Sequence, residues 1–123
     1  STPCWNRIKR LEEDKIMLSR SIILDNTKVN LPITVFLSIL IQNHTDEWLQ
    51  NFTKVVNKYD EIVEVHRLTG SDSDYQIKIL SPSIEEYDNF QQKLIKEIEC
   101  TNMSSHISLQ TIKKNNKISL SYL

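Results

Sequence analysis

In the nine residues from Ile33 to Ile41, one set of alternate positions is wholly apolar and the other set is mixed. The odd-numbered positions are all apolar: Ile33, Val35, Leu37, Ile39 and Ile41. Alternate residues of a strand point to the same side of a sheet, so this pattern predicts a strand with one face in a core. The even-numbered positions mix Thr and Ser with Phe and Leu, which suggests that the second face is covered as well.

The apolar period changes to that of a helix at two places further along. The first predicted helix covers 45–59, with Thr45 or Asp46 as its cap. Its apolar stripe comprises Trp48, Phe52, Val55, Val56 and Tyr59. The second begins behind Pro82, where Ser83 and Glu86 form a capping box. Its predicted stripe comprises Ile84, Tyr87, Leu94, Ile95 and Ile98, with Phe90 and Gln91 at the edge of the stripe.

Two further strands are predicted between these helices. Residues 61–68 place Val63 and Val65 on one face, and residues 75–80 alternate again after Gly70. The two segments should form a hairpin around that glycine. Before Ile33 we predict a helix over about 2–14 and a strand over 16–24. After the second helix we predict strands near 104–112 and 117–122, separated by a turn at 114–116.

From residue 33 onward the predicted order is β-α-β-β-α-β, followed by a further strand. This is the α+β, ferredoxin-like plan, in which an antiparallel sheet carries both helices on one face. The other face must meet water or a partner, and Phe36 and Leu40 do not suit water. We therefore expect two copies to dimerise through their sheets.

Composition and charge exclude several classes of protein. Among 123 residues, 25% are charged and the formal net charge is −1, which disfavours a protein that binds nucleic acid over its whole surface. The longest apolar run is too short and too interrupted to span a bilayer, and the first residues do not resemble a signal peptide. We expect a cytoplasmic protein with no membrane association.

The residues that carry chemistry give no sign of catalysis. His44, His66 and His106 lack the spacing of metal ligands, and a chain with one glycine contains no glycine-rich phosphate loop. No pair of a nucleophile and a base is visible. We expect no metal, no cofactor and no enzymatic activity.

Three segments together resemble the Lrp/AsnC transcriptional regulators, also called feast/famine regulators. They are "STPCWNRIKRLEEDKIM" (1–17), "EIVEVHRLTGSDSDY" (61–75) and "LIKEIECTNMSSHISLQTIK" (94–113). The resemblance implies that 1–28 is the remnant of a helix-turn-helix DNA-binding module with its connecting strand. Residues 29–123 would be the effector-binding and oligomerisation (RAM) domain, forming dimers and from these tetramers or octamers.

The resemblance also implies a function for the turn that contains Gly70. From the residues alone two interpretations stay open: a tight hairpin turn, for which Gly70 supplies a positive φ, or a ligand contact. In the resembled family, amino-acid effectors bind between dimers near this turn. The likeness implies that Gly70 shapes the site, Asp72 or Asp74 holds the ammonium, and Ser105, in preference to Ser104, holds the carboxylate. The turn has one residue more than the family pattern, so the choice between the aspartates stays open.

By the same resemblance, Asn6, Arg7 and Arg10 would face DNA in a full-length, nucleoid-associated regulator. One such helix without its supporting helices is not expected to bind DNA specifically. The function implied is an effector-sensing and oligomerisation domain of a bacterial regulator. The alternatives are a stand-alone small-molecule-binding dimer and, less favoured, a dimeric α+β enzyme.

Overall fold

The computed structural model describes residue 25 and residues 27–115 and 117–123. These residues form four strands and two helices: β1 (Ile33–Leu40), α1 (Asp46–Lys58), β2 (Ile62–Arg67), β3 (Tyr75–Ser81), α2 (Ile84–Glu97) and β4 (Asn102–Ile107). The predicted β-α-β-β-α-β order and the ferredoxin-like class are confirmed. The helix predicted over 2–14 and the strand predicted over 16–24 lie outside the described residues.

The four strands form one antiparallel sheet in the order β2-β3-β1-β4. β1 lies inside the sheet and pairs on both sides, so that Leu37 is opposite Ile77 of β3 and Ser105 of β4. Its alternating apolar residues therefore lie at the middle of the domain. This position explains why the strand has the strongest alternation in the sequence.

The core lies between one face of the sheet and the two helices. The sheet contributes Val35, Leu37, Ile39, Ile77 and Ile79, all of them fully buried. The helices and their ends add Phe52, Val55, Tyr87, Phe90, Leu94 and Ile98. Burying one such aliphatic side chain stabilises a fold by about 1.5–3 kcal/mol, so this cluster supplies most of the driving force for folding.

Both helices begin at the predicted caps. The Thr45 hydroxyl accepts a hydrogen bond from the Trp48 backbone N–H at 3.1 Å, and the Ser83 hydroxyl accepts one from the Glu86 N–H at 3.1 Å. Each bond satisfies a backbone donor that the first helical turn leaves without a partner. Of the two predicted caps for α1, Thr45 is the one used.

The prediction that Val63 and Val65 share a face is wrong. The pairing of β2 with β3 shifts between Ile62 and Glu64, where the strand contains a β-bulge. The bulge adds a residue on one strand and resets the alternation. As a result Ile62 and Val65 pack against the core, whereas Val63 is exposed.

The predicted apolar stripe of α2 is wrong at two positions. Tyr87, Phe90 and Leu94 are buried, whereas Ile84 and Ile95 are 57% and 49% exposed. At about 100° of rotation per residue, Ile84 and Ile95 lie roughly 120° and 140° around the helix from Phe90. The buried stripe includes Phe90, which the sequence pattern placed at its edge.

The prediction of two strands after α2 is also corrected. β4 starts and ends earlier than expected, at Asn102 and Ile107, and the described residues beyond it contain no strand. The ladder with β1 stops at the pair Val35–Ile107, followed by one bond from the Ser108 N–H to the Thr34 carbonyl. A strand requires a neighbouring strand, and no strand among the described residues pairs with this segment.

Candidate effector site

The turn between β2 and β3 requires its glycine. Gly70 has a φ of 117°, in the region that L-residues rarely adopt, and no atom lies within 4 Å of the position that a Cβ would occupy. The Leu68 N–H donates to the Asp74 carbonyl at 2.9 Å and closes the turn. Backbone conformation accounts for the glycine, and the space around it is open.

The two candidate aspartates have different surroundings. One Asp74 carboxylate oxygen accepts a hydrogen bond from the Ile41 N–H at 2.8 Å, and the Asp74 N–H donates to the Ile39 carbonyl at 2.8 Å. Asp74 is therefore fixed against the end of β1. The Asp72 side chain is exposed and has no hydrogen-bond partner among the described residues. The geometry favours Asp74 as the ordered carboxylate.

A cleft of about 460 Å³ lies beside this carboxylate, between the β2–β3 hairpin and the start of α1. Asp74, His44 and Arg67 line it together. The His44 Nε2 atom lies 3.8 Å from the second Asp74 carboxylate oxygen. Apolar walls complete the cleft; they are formed by Ile41, Trp48, Leu49, Leu68 and Tyr75.

The Trp48 ring is part of an ordered aromatic group. It stacks on Phe52 with ring centroids 4.8 Å apart and lies 5.4 Å from the Tyr75 ring. Its indole N–H donates to the Glu99 carbonyl at 2.6 Å. This wall is therefore held in place before any ligand arrives.

Arg67 was not among the residues predicted from the sequence, nor was His44. Arg67 is opposite Tyr75 in the sheet, so its side chain starts on the face that carries the helices. Its guanidinium has no ion-pair partner in the part of the chain that the structure describes. The cleft thus contains a cation, a carboxylate and an apolar wall, which suit the carboxylate, the ammonium and the side chain of an amino acid.

The two serines of β4 lie on opposite faces of the sheet. Ser105 is opposite Leu37 on the helix side, and its hydroxyl forms a 2.5 Å hydrogen bond with the Tyr87 hydroxyl. Burial raises the pKa of Tyr87, and the bond to Ser105 acts in the opposite direction. Ser104 is opposite Ser38 on the other face.

Within one chain the turn and these serines do not meet. β1 separates β4 from β3, which places the two strands about 10 Å apart. The predicted site at which Ser104 or Ser105 and the turn face one ligand therefore requires two copies of the chain.

The face of the sheet opposite the helices carries partly buried apolar side chains. Phe36 lies in register between Lys78 and His106, and Leu40 and Leu80 lie on the same face. We call this face the open face. Beside Phe36, the Lys78 ammonium is 3.3 Å from the Glu64 carboxylate. No helix of the described residues covers the open face.

At the C-terminal end of α1, the Glu97 side chain joins α1 to α2. Lys58 donates to one carboxylate oxygen of Glu97, and the Tyr59 hydroxyl donates to the other at 2.5 Å. The bonds from Lys58 and Tyr59 lower the pKa of Glu97 below its ordinary range. None of these three residues lines the cleft, and their contact joins the two helices.

Other kinds of site find little support in the described part of the chain. It contains no group of three His, Cys, Asp or Glu side chains placed to bind a metal ion. None of its helices is long and apolar enough to cross a bilayer. The predicted DNA-facing residues Asn6, Arg7 and Arg10 lie outside the described residues.

Comparison with known families identifies the domain. The sequence profile of the "Lrp/AsnC ligand binding domain" matches residues 34–118. The chain belongs to the Lrp/AsnC family. The resemblance noted from the sequence is confirmed.

Several Lrp/AsnC relatives align over most of the chain. A glutamate uptake regulatory protein of Zymomonas mobilis is 40% identical over 110 residues, which are 89% of this chain and 66% of that protein. This chain thus spans slightly less than two thirds of that relative. The DNA-binding transcriptional activator DecR of Escherichia coli is 32% identical over 92% of this chain and 74% of its own length.

Solved structures of the Lrp/AsnC family have the same fold. An AsnC family transcriptional regulator from Agrobacterium tumefaciens superposes with a TM-score of 0.86 at 40% identity, over 99% of this chain and 79% of that one. A transcriptional regulator from Neisseria meningitidis, solved as its L-methionine complex, superposes with a TM-score of 0.85 at 24% identity, over 98% of this chain and 77% of that chain. The latter similarity shows the fold.

Proposed function

We propose that this chain is the effector-sensing and oligomerisation domain of a DNA-binding transcriptional regulator, and that its effector is a small amino acid. The observation that carries the proposal is the cleft in which Arg67 and Asp74 line the same space. An α-amino acid carries one negative and one positive group, and a binding site for it needs one partner of each sign.

In the proposed complex, Arg67 binds the α-carboxylate through two parallel hydrogen bonds, which its planar guanidinium favours. The free carboxylate oxygen of Asp74 accepts from the ammonium, while the other stays bonded to Ile41. The amino-acid side chain lies against Trp48 and Leu68. Gly70 keeps the turn in the conformation that brings Asp74 to the cleft, and Asp72 remains at the rim.

Oligomerisation completes the proposed site. Two copies pack through their open faces, and dimers then associate so that Ser105 or Ser104 of another copy reaches the bound carboxylate. Ser105 keeps hydrogen-bonding capacity for this purpose, because a hydroxyl has one donor and two acceptor positions and Tyr87 uses one of them. An effector bound at such a seam stabilises one assembly state, and that state sets the spacing of the DNA-binding modules.

Two other functions remain as alternatives to this proposal. A stand-alone small-molecule-binding dimer would bind the same ligand without an attached helix-turn-helix. A dimeric α+β enzyme would turn over a substrate. The coding sequence upstream of Ser1 separates the first alternative from the proposal, and a substrate assay with the cleft variants separates the second.

The proposal is tested by a thermal-shift screen of the twenty amino acids at millimolar concentration, followed by sedimentation velocity with each one that stabilises the protein. L-glutamate and L-methionine are natural first probes, given the names of the relatives. A ligand at 100 times its Kd stabilises the folded protein by about 2.7 kcal/mol, which is readily measured. Arg67→Gln and Asp74→Asn should abolish the shift, whereas Asp72→Asn should retain it. A screen without any shift in stability or assembly would refute the proposal.

A further inference from the structure

The last described segment of the chain leaves large apolar side chains in water. In residues 117–123, which we call the apolar arm, Ile118, Tyr122 and Leu123 are 85%, 97% and 73% exposed. The backbone hydrogen bonds that the arm itself makes in the described structure are local, such as Leu123 N–H to the Leu120 carbonyl at 3.2 Å. Exposed apolar residues in such a group are typical of a segment that binds another surface.

The described residues also form a groove with a mixed lining, in which polar and charged side chains surround a smaller apolar part. This groove of about 800 Å³ runs along the open face, between the strands β1 and β3 and the chain that follows β4. Its floor includes Thr34, Phe36 and Leu80, and Leu109 forms part of its side. The apolar arm does not line this groove in its own chain.

The arm can reach the groove of a second copy, and it offers apolar side chains to the apolar part of that groove, which includes Phe36, Leu80 and Leu109. Residues 118–123 carry no charged side chain, and over 118–122 apolar residues alternate with Ser119 and Ser121, so an extended arm would present Ile118, Leu120 and Tyr122 along one edge. Residues up to Lys114 line the groove of their own chain, so the free connection to the arm starts there. From Lys114 to Ile118, four extended residues reach up to about 13 Å. Two sheets packed face to face lie about 10 Å apart, so the arm can cross to a second copy.

We propose that in the dimer each apolar arm lies in the groove of the partner subunit. The occupant of the groove is thus a second copy of this chain, and two-fold symmetry makes the exchange reciprocal. Ile118 and Leu120 cover Leu80 and Leu109 of the other copy, beside the sheet-to-sheet contact at Phe36, and remove these side chains from water. This inference rests on the proposed dimerisation through the open face. It adds a second contact between the subunits, made by the apolar arm of each.

Cysteine cross-linking between differently tagged copies tests the exchange. Both native cysteines are first replaced (Cys4→Ser and Cys100→Ala). One chain carries Leu120→Cys with a long tag, and the coexpressed second chain carries Thr34→Cys with a short tag. Mild oxidation should give a band that contains both tags on a non-reducing gel. The matched control replaces Thr34→Cys with Thr53→Cys, an exposed threonine on the helix side, and should give no such band.

Sedimentation velocity of the same samples makes each outcome decisive. A dimer with the mixed-tag band from Thr34→Cys and not from Thr53→Cys supports the exchange. A dimer without that band, or with equal bands from both pairs, overturns the exchange but leaves the dimer intact. A monomer contradicts dimerisation and the exchange together. In addition, the double variant Ile118→Ser/Tyr122→Ser should raise the dimer dissociation constant at least tenfold, and an unchanged constant would overturn the inference.

Discussion

The Asp74 carboxylate and the Ile41 backbone N–H are joined by a hydrogen bond of 2.8 Å across 33 positions of sequence. Ile41 is only 6% exposed, so its N–H has little access to water as a substitute partner. One residue therefore fastens the β2–β3 turn to the end of β1 and also presents a carboxylate to the cleft. Its structural role and its proposed binding role can be separated by substitution.

Asp74→Ala should destabilise the protein by about 1–3 kcal/mol, because it leaves the buried Ile41 donor without an acceptor. Asp74→Asn should cost less, since the amide carbonyl still accepts the bond, yet it removes the charge that the ammonium needs. Urea unfolding and amino-acid thermal shifts measure the two effects. If Asp74→Asn binds as well as the wild type, Asp74 does not hold the ammonium.

The contact of Glu97 with Lys58 and Tyr59 predicts a dependence of stability on pH. Because these bonds lower the pKa of Glu97 in the folded state, its contribution is present above the unfolded value of about 4.3. It is lost as the pH falls through the folded value. The melting temperature of the wild type should therefore exceed that of Glu97→Gln at pH 7, and the two should converge in acid.

Glu99→Gln is the control for this experiment, because the side chain of Glu99 is exposed and has no hydrogen bond or ion pair among the described residues. It should follow the wild type throughout. If the difference in melting temperature between the wild type and Glu97→Gln is as large at pH 3 as at pH 7, the carboxylate charge is not the cause of that difference.

Leu94 and Ile95 are neighbours in α2 with opposite surroundings. Leu94 is fully buried, whereas Ile95 is 49% exposed. Leu94→Ala should cost about 2–5 kcal/mol through lost burial and the cavity left behind, and Ile95→Ala about 1 kcal/mol or less. Urea unfolding at one fixed protein concentration compares them. Equal losses would contradict the orientation of α2.

Phe36→Glu should dissociate the proposed dimer, because it places a charge at the centre of the open face, where the proposed packing would remove it from water. Ile84→Glu serves as the control: Ile84 is exposed on α2, away from this face. Sedimentation velocity over a range of concentrations should show a monomer for the first variant and a dimer for the second. A dimer of Phe36→Glu with unchanged affinity would show that the subunits associate elsewhere.

Local signals in the sequence predicted the elements that depend on local interactions. The alternation of β1 and the caps at Thr45 and Ser83 are set by neighbouring residues, and the structure has them where predicted. The exposure of Val63 depends on a bulge against β3, which is a pairing between distant segments. The spacing of apolar residues within β2 does not predict this bulge.

In the candidate site too, local signals predict some residues, and contacts between distant segments determine the others. The sequence points to both Asp72 and Asp74, because both lie in the turn. What distinguishes Asp74 is its hydrogen bond with Ile41, a contact between distant segments. Arg67 and His44 come from the end of β2 and from the loop before α1, and they meet only when the hairpin has folded beside the helix. No spacing in the sequence connects these two residues.

Isothermal titration calorimetry of the wild type with each of the twenty amino acids tests the central claim most directly. We expect at least one to bind with a Kd in the millimolar range or below, and we expect Arg67→Gln and Asp74→Asn each to weaken that binding at least tenfold. Asp72→Asn should bind as the wild type does. Twenty titrations without binding heat, or binding that both cleft variants leave unchanged, would contradict the assignment of this cleft as the effector site.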